Sequence, residues 1–397
     1  MDINTTNQQT NKHTRISEAA NRLEGQAAFI VLQRARELER QGRSILHFEI
    51  GEPDFDTPDH IVEGAKRAID DKQTHYVSSS GIPELRESVC SEVERTRGFR
   101  PDPEQVLITP GGNAIIYFTL ACLTDPGDAI MTPDPGFFSY WSSISYLDRK
   151  LIPLPILEEN EFRMNPDDVR ERITPETKLI IMNSPQNPTG SVMTRSEIEE
   201  MADIAEEHDV YLLTDEMYSK MTYDTPHHSP SGRDQCLDRT ILLDGFSKKY
   251  AMTGWRLGWA VAPHLVTEKM GLLLQTIVGC TNSFIQHAGV SALQGGDQCI
   301  NGMMEQFRKR RDVLVKGLNK INGISCVVPQ GAFYAFPNIT GTGMTSTEFT
   351  NYLLEKGGIS ILSGSDFGQH GEGYIRFCYA SDIENIKKAL EIMEGLF

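Results

Sequence analysis

Long hydrophobic runs are missing from this sequence. Hydrophobic residues make up 39% of the chain, but no stretch of them approaches the roughly 20 residues that cross a bilayer. Residues 1–13 are polar and rich in Asn, Gln and Thr, without the apolar segment of a secretory signal. We therefore expect no membrane partner and a cytoplasmic location.

Paired cysteines are also missing. The seven cysteines are scattered along the chain, their number is odd, and no two of them form a CxxC pair. Such a distribution favours reduced thiols over a disulfide framework or a zinc site. We expect no metal ion in this protein.

Positive charge is scarce relative to negative charge. The 38 Lys and Arg residues face 55 Asp and Glu residues, which gives a formal net charge of -17. A surface that binds nucleic acid needs clustered Lys and Arg to displace the counterions of phosphate. The charge balance therefore argues against a nucleic acid partner.

Short apolar runs alternate with helix-period segments through the middle of the chain. The runs cover residues 105–109, 128–132, 178–183, 210–214, 240–244 and 257–261. Between the third and fourth runs, residues 196–208 carry apolar side chains at helical spacing. This alternation predicts an α/β fold with a mostly parallel sheet flanked by helices.

The length of 397 residues exceeds the size at which one hydrophobic core usually stops growing. The pattern changes after about residue 290, and the elements predicted there are a helix over 303–319, a strand pair around 323–336, a second helix and a strand over 374–378. A helix predicted over 27–41 precedes the sheet pattern. The expected divisions are a disordered segment or arm over 1–14, a large domain over 55–290, and a smaller α+β domain built from both termini, 15–54 and 291–397.

Polar residues follow the apolar runs, at the edge of an open α/β sheet where ligands bind. The first run leads into Gly111, Gly112 and Asn113, and a helical pattern follows. Two glycines at a strand-to-helix turn allow backbone N–H groups to approach an anion. A plain tight turn is the alternative interpretation of the two glycines.

The third and fourth runs end in amides and a carboxylate. Asn183 and Asn187 lie in a segment that also contains two prolines, and this segment is either a rigid loop or a source of oriented amide groups. Asp215 should lie inside the sheet, and a buried carboxylate needs a partner. An Arg or Lys from the core and a protonated ring nitrogen of a cofactor are the two alternatives.

Two adjacent lysines follow the fifth run. Ser247 precedes Lys248 and Lys249. Burial near the end of a strand lowers the pKa of a lysine, and a neutral amine is what Schiff-base chemistry requires. A solvated loop lysine is the alternative interpretation.

Taken in order, these features resemble a known family. The motifs are Gly51-Glu-Pro-Asp-Phe-Asp-Thr-Pro58, Gly81-Ile-Pro-Glu-Leu-Arg86, Asn187-Pro-Thr-Gly190, Asp215-Glu-Met-Tyr218 and Ser247-Lys-Lys-Tyr-Ala-Met-Thr-Gly-Trp-Arg256. From about Arg15 to the C-terminus the sequence resembles the class I aminotransferases of the fold-type I pyridoxal-phosphate enzymes. It is most similar to the aspartate aminotransferase-like branch.

The resemblance implies a pyridoxal 5′-phosphate cofactor held as an aldimine on Lys248, since Lys249 falls one position too late in the motif. It implies that Asp215 pairs with the ring nitrogen and keeps it protonated. The other implied cofactor contacts are Asn187 and Tyr218 to the phenolic oxygen, Ser247, Arg256, Gly111, Gly112 and Asn113 to the phosphate, Phe137 stacked on the ring with Phe138 as its rival, and Tyr76 from the second subunit of a homodimer.

The resemblance also implies the substrate contacts. Arg376 matches the arginine that binds the α-carboxylate of an amino acid, and Gly51 and Asn187 line the same site. The helix after the glycine turn carries no Lys or Arg for a second carboxylate, which Arg15 could supply instead. The aromatic residues Phe137, Phe138, Tyr140 and Trp141 suit aromatic or neutral substrates, although most of them are expected to be structural.

The implied activity is the exchange of an amino group between an L-amino acid and a 2-oxo acid by a ping-pong mechanism. The alternative is another reaction on the same scaffold, as in a lyase, decarboxylase, cyclase or oxidase. A regulator fused to a DNA-binding element is a third alternative, for which the N-terminal extension offers too little chain.

Overall fold

The structure is a computed structural model that describes residues 15–397. The segment 1–14, predicted to be disordered or an arm, lies outside the described residues. Within residues 15–397, every helix is too short or too polar to span a lipid bilayer.

The secondary structure of the described residues alternates helices with short strands. The helices are α1 (Glu18–Asn21), α2 (Ala27–Arg40), α3 (Asp59–Asp70), α4 (Pro83–Arg97), α5 (Gly112–Leu123), α6 (Phe138–Tyr146), α7 (Pro166–Arg172), α8 (Arg195–Glu207), α9 (Ser231–Asp234), α10 (His264–Ile277), α11 (Ser283–Gln294), α12 (Gln298–Leu318), α13 (Ser346–Tyr352) and α14 (Ile383–Leu396). The strands are β1 (Leu46–His47), β2 (Val106–Thr109), β3 (Ala129–Asp134), β4 (Lys150–Pro155), β5 (Thr177–Asn183), β6 (Tyr211–Asp215), β7 (Thr240–Gly245), β8 (Gly258–Val261), β9 (Tyr334–Ala335), β10 (Ile359–Ser360), β11 (Leu362–Ser363) and β12 (Ile375–Cys378).

A seven-stranded sheet forms the centre of the large domain, in the order β2-β8-β7-β6-β5-β3-β4. Only β8 runs against its neighbours β7 and β2, so the predicted mostly parallel sheet is confirmed. All six predicted strands are present in this sheet, and the seventh, β4 at one edge, was not predicted.

Helices cover both faces of this sheet because successive side chains of a strand point to opposite faces. In β5, Leu179 and Ile181 pack with α5 and α10, whereas Ile180 and Met182 pack with α8 on the other face. The start of α8 is fixed by Thr194, whose side chain accepts a hydrogen bond from the backbone N–H of Glu197.

The smaller α+β domain contains segments from both ends of the chain. Strand β1 pairs in parallel with β10, and β12 lies between β11 and β9 in a three-stranded antiparallel sheet. The strand pair predicted around 323–336 is wrong, because only the short strand β9 forms there and it pairs with β12. The predicted helix over 303–319 is α12, which begins earlier, at Gln298.

The cysteines are free thiols throughout residues 15–397, which contain all seven of them. Four are buried, namely Cys90, Cys236, Cys326 and Cys378, and the other three are partly buried.

Candidate active site

A cavity of about 940 Å³ lies at the carboxyl ends of the parallel strands, between the two domains. The loops after β2, β3, β5, β6 and β7 all reach it, and the segment before the antiparallel β8 starts at the same edge. The smaller domain contributes the opposite wall through Gly51, Tyr334 and Arg376.

Most residues expected at the site line this cavity. They are Gly51, Gly112, Asn113, Phe137, Asn187, Asp215, Tyr218, Ser247, Lys248, Arg256 and Arg376. Gly111 immediately precedes the lining residue Gly112, and a Cβ atom on Gly111 would lie 2.4 Å from Arg256 Nη2. Tyr76 and Arg15 do not line it, and the side chain of Tyr76 is 91% exposed.

Lys248 extends into the cavity from the loop after β7. Its Nζ donates a hydrogen bond to the carbonyl oxygen of Gly51 in the smaller domain. Burial lowers the pKa of Lys248 to about 8, because the charged form loses solvation there. A substantial fraction of this amine is therefore neutral near physiological pH.

Lys249 points away from the cavity, into the core of the large domain. Its Nζ donates to Asp244 Oδ2 at 2.7 Å, and neither side chain is exposed to solvent. Arg97 donates to the same Asp244 at 2.8 Å and to Glu216 at 2.9 Å. This buried network commits Lys249 to a structural ion pair and removes it as a rival of Lys248.

Asp215 ends β6 at the floor of the cavity. Tyr140 donates its hydroxyl proton to Asp215 Oδ2 at 2.7 Å, and the backbone N–H of Met217 donates to Oδ1 at 3.1 Å. Burial nevertheless raises the pKa of Asp215 to about 6. Both oxygens retain lone pairs for a further donor from the cavity.

Arg376 on β12 is buried in the opposite wall. Its Nη1 donates to Asn187 Oδ1 at 3.2 Å, and its Nη2 donates to the carbonyl oxygen of Glu49. The guanidinium also lies 4.7 Å from the ring centre of Tyr334, in cation–π geometry. Its Nε has no hydrogen-bond partner among residues 15–397. These contacts fix a planar cation with donors suited to a carboxylate.

Two tyrosines line the cavity near Arg376. The hydroxyl groups of Tyr218 and Tyr334 are 2.8 Å apart and form a hydrogen bond. A Cβ atom at Gly51 would lie 2.2 Å from the Tyr334 hydroxyl oxygen. Glycine at position 51 therefore leaves room for this tyrosine pair.

The glycine turn before α5 approaches an arginine closely. Gly111 has a φ of +89°, which L side chains rarely adopt, and a Cβ there would lie 2.4 Å from Arg256 Nη2. Gly112 is the first residue of α5, so free backbone N–H groups and a guanidinium meet at the cavity. This combination suits an anion.

The wall formed by α2 and β1 carries titratable groups. His47 bonds to Glu49 at 2.8 Å and to Glu39 at 3.0 Å, and the hydrogen bond to Glu49 raises the pKa of His47 to about 9. Glu49 is buried, and its Oε2 has no partner among residues 15–397. Arg36 lines the same wall.

Comparisons with known proteins identify the family. A family model described as aminotransferase class I and II matches residues 43–393. The chain belongs to this family. It is 39% identical over 366 residues to the aspartate aminotransferase of Pyrococcus horikoshii, with 92% of each chain covered. It is 41% identical to aromatic-amino-acid aminotransferase 2 of Thermococcus litoralis, over 88% of this chain and 91% of that protein.

A solved structure agrees with this assignment. The aspartate aminotransferase from Thermus thermophilus with maleate superposes with a TM-score of 0.93 at 34% identity, covering 97% of this chain and 100% of that chain. The predicted fold class and activity are therefore confirmed, and the protein is a pyridoxal-phosphate-dependent aminotransferase.

The cavity of this aminotransferase fits its cofactor. Pyridoxal 5′-phosphate needs an amine for its aldehyde, an acceptor for its ring N–H and donors for its phosphate. Lys248 would offer the amine, and Asp215 would offer an acceptor, since its present contacts are hydrogen-bond donors. The turn at Gly111 and the nearby Arg256 would offer donors to the phosphate, with no room for a Cβ atom between them. These three groups line or adjoin one cavity.

Several residues of the cavity lining were not predicted as site residues from the sequence. Tyr140 was assigned to an aromatic pocket or the core, although its spacing of three from Phe137 indicates one helical face. A search for a donor to the buried Asp215 would have considered it. Tyr334, Arg36, His47 and Glu49 gave no local signal, because folding brings them to the cavity from distant segments.

Proposed function

We propose that Lys248 both binds the cofactor aldehyde and moves the proton at the substrate α-carbon during transamination. An L-amino acid and a 2-oxo acid would exchange their amino group in two half-reactions with ping-pong kinetics. The observation that carries this proposal is the position of Lys248, whose amine of lowered pKa lines the same cavity as Asp215 and Arg376.

The remaining cofactor contacts are proposed from their places in the cavity wall. Asp215 would bind the ring nitrogen, and Tyr218 with Asn187 would bind the phenolic oxygen. Ser247, Arg256 and the backbone of Gly111, Gly112 and Asn113 would hold the phosphate, with Phe137 against the ring. Asn113 and Arg256 line the cavity and are exposed, so a phosphate could reach them.

For the substrate, Arg376 with Asn187 would hold the α-carboxylate beside Gly51. Arg15 lies outside the cavity wall, whereas Arg36 of α2 lies within it and is available to a second carboxylate. Phe29 and Leu32 of the same helix offer apolar surface to an aromatic side chain. The named relatives act on aspartate or on aromatic amino acids, so a substrate test should include both classes.

A half-reaction screen tests the proposed function. The purified protein with cofactor is mixed with each common amino acid, and the absorbance of the protein-bound cofactor is followed. We expect the band to disappear with the preferred amino acid and to return on adding a 2-oxo acid. Lys248→Ala should lose the band and the turnover, whereas Lys66→Ala, at an exposed lysine on α3, should keep both. Turnover by Lys248→Ala would refute the proposal.

The screen also separates the alternative reactions. A lyase, decarboxylase, cyclase or oxidase would release ammonia or carbon dioxide, close a ring, or consume oxygen, without stoichiometric recovery by a 2-oxo acid. Product analysis of the same mixtures by mass spectrometry distinguishes these outcomes.

We also propose a homodimer in which Tyr76 enters the cavity of the second subunit. Two observations support it. Tyr76 is 91% exposed and lies outside the cavity of its own chain, and its ring lies beside Gly279, next to the exposed Ile277 and Val278.

A cytoplasmic location is proposed from the free thiols, which suit a reducing compartment. The domain limits proposed are 55–290 for the large domain and 15–54 with 291–397 for the smaller one.

A further inference from the structure

The carboxylate of Asp215 is held from two sides by hydrogen-bond donors. Tyr140 contributes the O–H group and Met217 the backbone N–H group, at 2.7 and 3.1 Å. Asp215 is 6% exposed and Tyr140 is not exposed at all. Donors on both oxygens favour the ionised form of the carboxyl group, since the protonated form would lose one acceptor position.

Within residues 15–397, no cationic side chain of the protein pairs with the Asp215 carboxylate to stabilise its charge. The neighbouring acids Glu216 and Asp244 are paired with Arg97, and Asp244 also with Lys249, whereas Asp215 has no ion pair in the described part. The charges of Glu216 and Asp244 raise the pKa of Asp215, in addition to the larger effect of burial. The hydroxyl of Tyr140 is the side-chain group that opposes both effects.

Tyr140 is also tied to the aromatic ring in the cavity wall. Phe137 immediately precedes α6 and Tyr140 lies in its first turn. Their rings meet edge to face, with centroids 5.6 Å apart and an angle of 86° between the planes. One helical turn therefore places both a ring of the cavity wall and the donor to the carboxylate.

We propose that Tyr140 is a positioning residue of this aminotransferase, whose hydroxyl orients the Asp215 carboxylate and stabilises its charge for the ring nitrogen of pyridoxal phosphate. This inference rests on the proposed role of Asp215. The hydroxyl of Tyr140 thereby gains a role as hydrogen-bond donor, whereas its aromatic neighbours in the sequence suggested contact with an aromatic substrate or packing in the core.

The test is the substitution Tyr140→Phe, which removes the hydroxyl and keeps the ring against Phe137. A hydrogen bond to a charged group contributes about 1.5–3 kcal/mol, so we expect roughly 10- to 100-fold weaker binding of the cofactor. The loss should grow as the pH falls, because without its donor Asp215 becomes protonated at a higher pH than in the wild type.

Pyridoxamine 5′-phosphate is the suitable probe, titrated into apoenzyme between pH 5.5 and 8.5 with fluorescence detection. It has no aldehyde, so the titration of Lys248 does not enter the comparison through bond formation. The phosphate of the probe titrates alike with both proteins, and the difference between them reports on the carboxylate. Tyr117→Phe on α5 is the matched control, since Tyr117 lies outside the cavity and does not bond to Asp215.

A double-mutant cycle with Asp215→Asn separates positioning from packing. In the Asp215→Asn protein, Tyr140→Phe should cause no further pH-dependent loss. Wild-type affinity and pH profile in Tyr140→Phe would overturn the inference, and so would an equal loss in both backgrounds. Undiminished binding by Asp215→Asn alone would instead refute the proposed role of Asp215.

Discussion

Two adjacent lysines have opposite environments in this aminotransferase. Lys248 lies in the cavity and donates to the carbonyl oxygen of Gly51, whereas Lys249 is fully buried against Asp244. Both lose solvation by burial, but the carboxylate next to Lys249 favours its charged form. Lys248 faces no such carboxylate contact, and burial lowers its pKa to about 8. Burial lowers the pKa of both lysines, and of the two only Lys249 has a carboxylate in direct contact that opposes this effect.

The pKa of Lys248 predicts how cofactor capture depends on pH. Only the neutral amine attacks an aldehyde, so the rate of capture by apoenzyme should rise about tenfold per pH unit below pH 8 and level off above it. Stopped-flow absorbance between pH 7 and 9 measures this rate. Pyridoxine 5′-phosphate, which lacks the aldehyde, should bind without this dependence. A rate of pyridoxal phosphate capture that does not change with pH would contradict this prediction, because it would show that protonation of Lys248 does not limit capture in this pH range.

Single residues were predictable from sequence where a local motif defined them. Lys248, Asp215 and Arg376 follow or occupy strands whose pattern is visible in the sequence, and the structure brings all three to one cavity. Tyr140 and Tyr334 form hydrogen bonds with partners 75 and 116 positions away, namely Asp215 and Tyr218. Contacts of that separation depend on the packing of the whole domain, which no local pattern contains.

The turn between β2 and α5 is the element that brings backbone N–H groups to the proposed phosphate site. Its conformation depends on Gly111 for two separate reasons, the positive φ and the close approach of Arg256. A second glycine, Gly127, shares the first reason but not the second, since its φ is +93° and no atom lies within 4 Å of the position that a Cβ would take. The two glycines form a matched pair for an experiment.

Alanine substitutions at these glycines should separate strain from lost binding. Both Gly111→Ala and Gly127→Ala should destabilise the protein by about 1–3 kcal/mol through backbone strain, measured by denaturant unfolding. Only Gly111→Ala should displace Arg256. We expect the affinity of this variant for pyridoxal phosphate to fall at least about tenfold, because the loss of one charge-assisted hydrogen bond has an effect of this size. Equal affinities of the two variants would exclude the proposed phosphate site at this turn.

At the scale of elements, sequence patterns failed for identifiable reasons. Strand β4 contains Pro153 and Pro155, which argue against a central strand, but β4 lies at the sheet edge where a missing N–H is tolerated. The direction of β8 was not predictable either, because a strand buried on both faces shows the same apolar run whether parallel or antiparallel. The apolar residues of region 323–336 pack in the core of the smaller domain, but most of this region forms no continuous β-sheet hydrogen bonding, so its apolar pattern does not mark a strand pair.

The cavity lies between two domains, and a second subunit is proposed to contribute Tyr76 to it. Hybrid dimers test the contribution of the second subunit. Chains with Lys248→Ala and chains with Tyr76→Phe are mixed after mild denaturation, so that one site of each hybrid contains an intact Lys248 and a Tyr76 from the other chain. We expect each pure variant to be impaired and the mixture to regain activity.

The amount regained has a fixed limit. Each hybrid dimer holds one intact site and one doubly substituted site, so recovery should approach half of the wild-type activity per hybrid. Size-exclusion chromatography with light scattering checks that all samples are dimers. If mixing brings no recovery although hybrids form, Tyr76 acts within its own chain or not at all.

The pairing of β1 with β10 has a consequence for the synthesis of this protein. The large-domain sheet and Lys248 leave the ribosome well before Arg376, which lies on β12 near the C-terminus. Until that last part has emerged, Gly51 and its segment lack the strand against which they close the cavity. A prematurely terminated chain therefore contains Lys248 but lacks Arg376, the arginine proposed to bind the substrate carboxylate. We expect such a chain to be inactive.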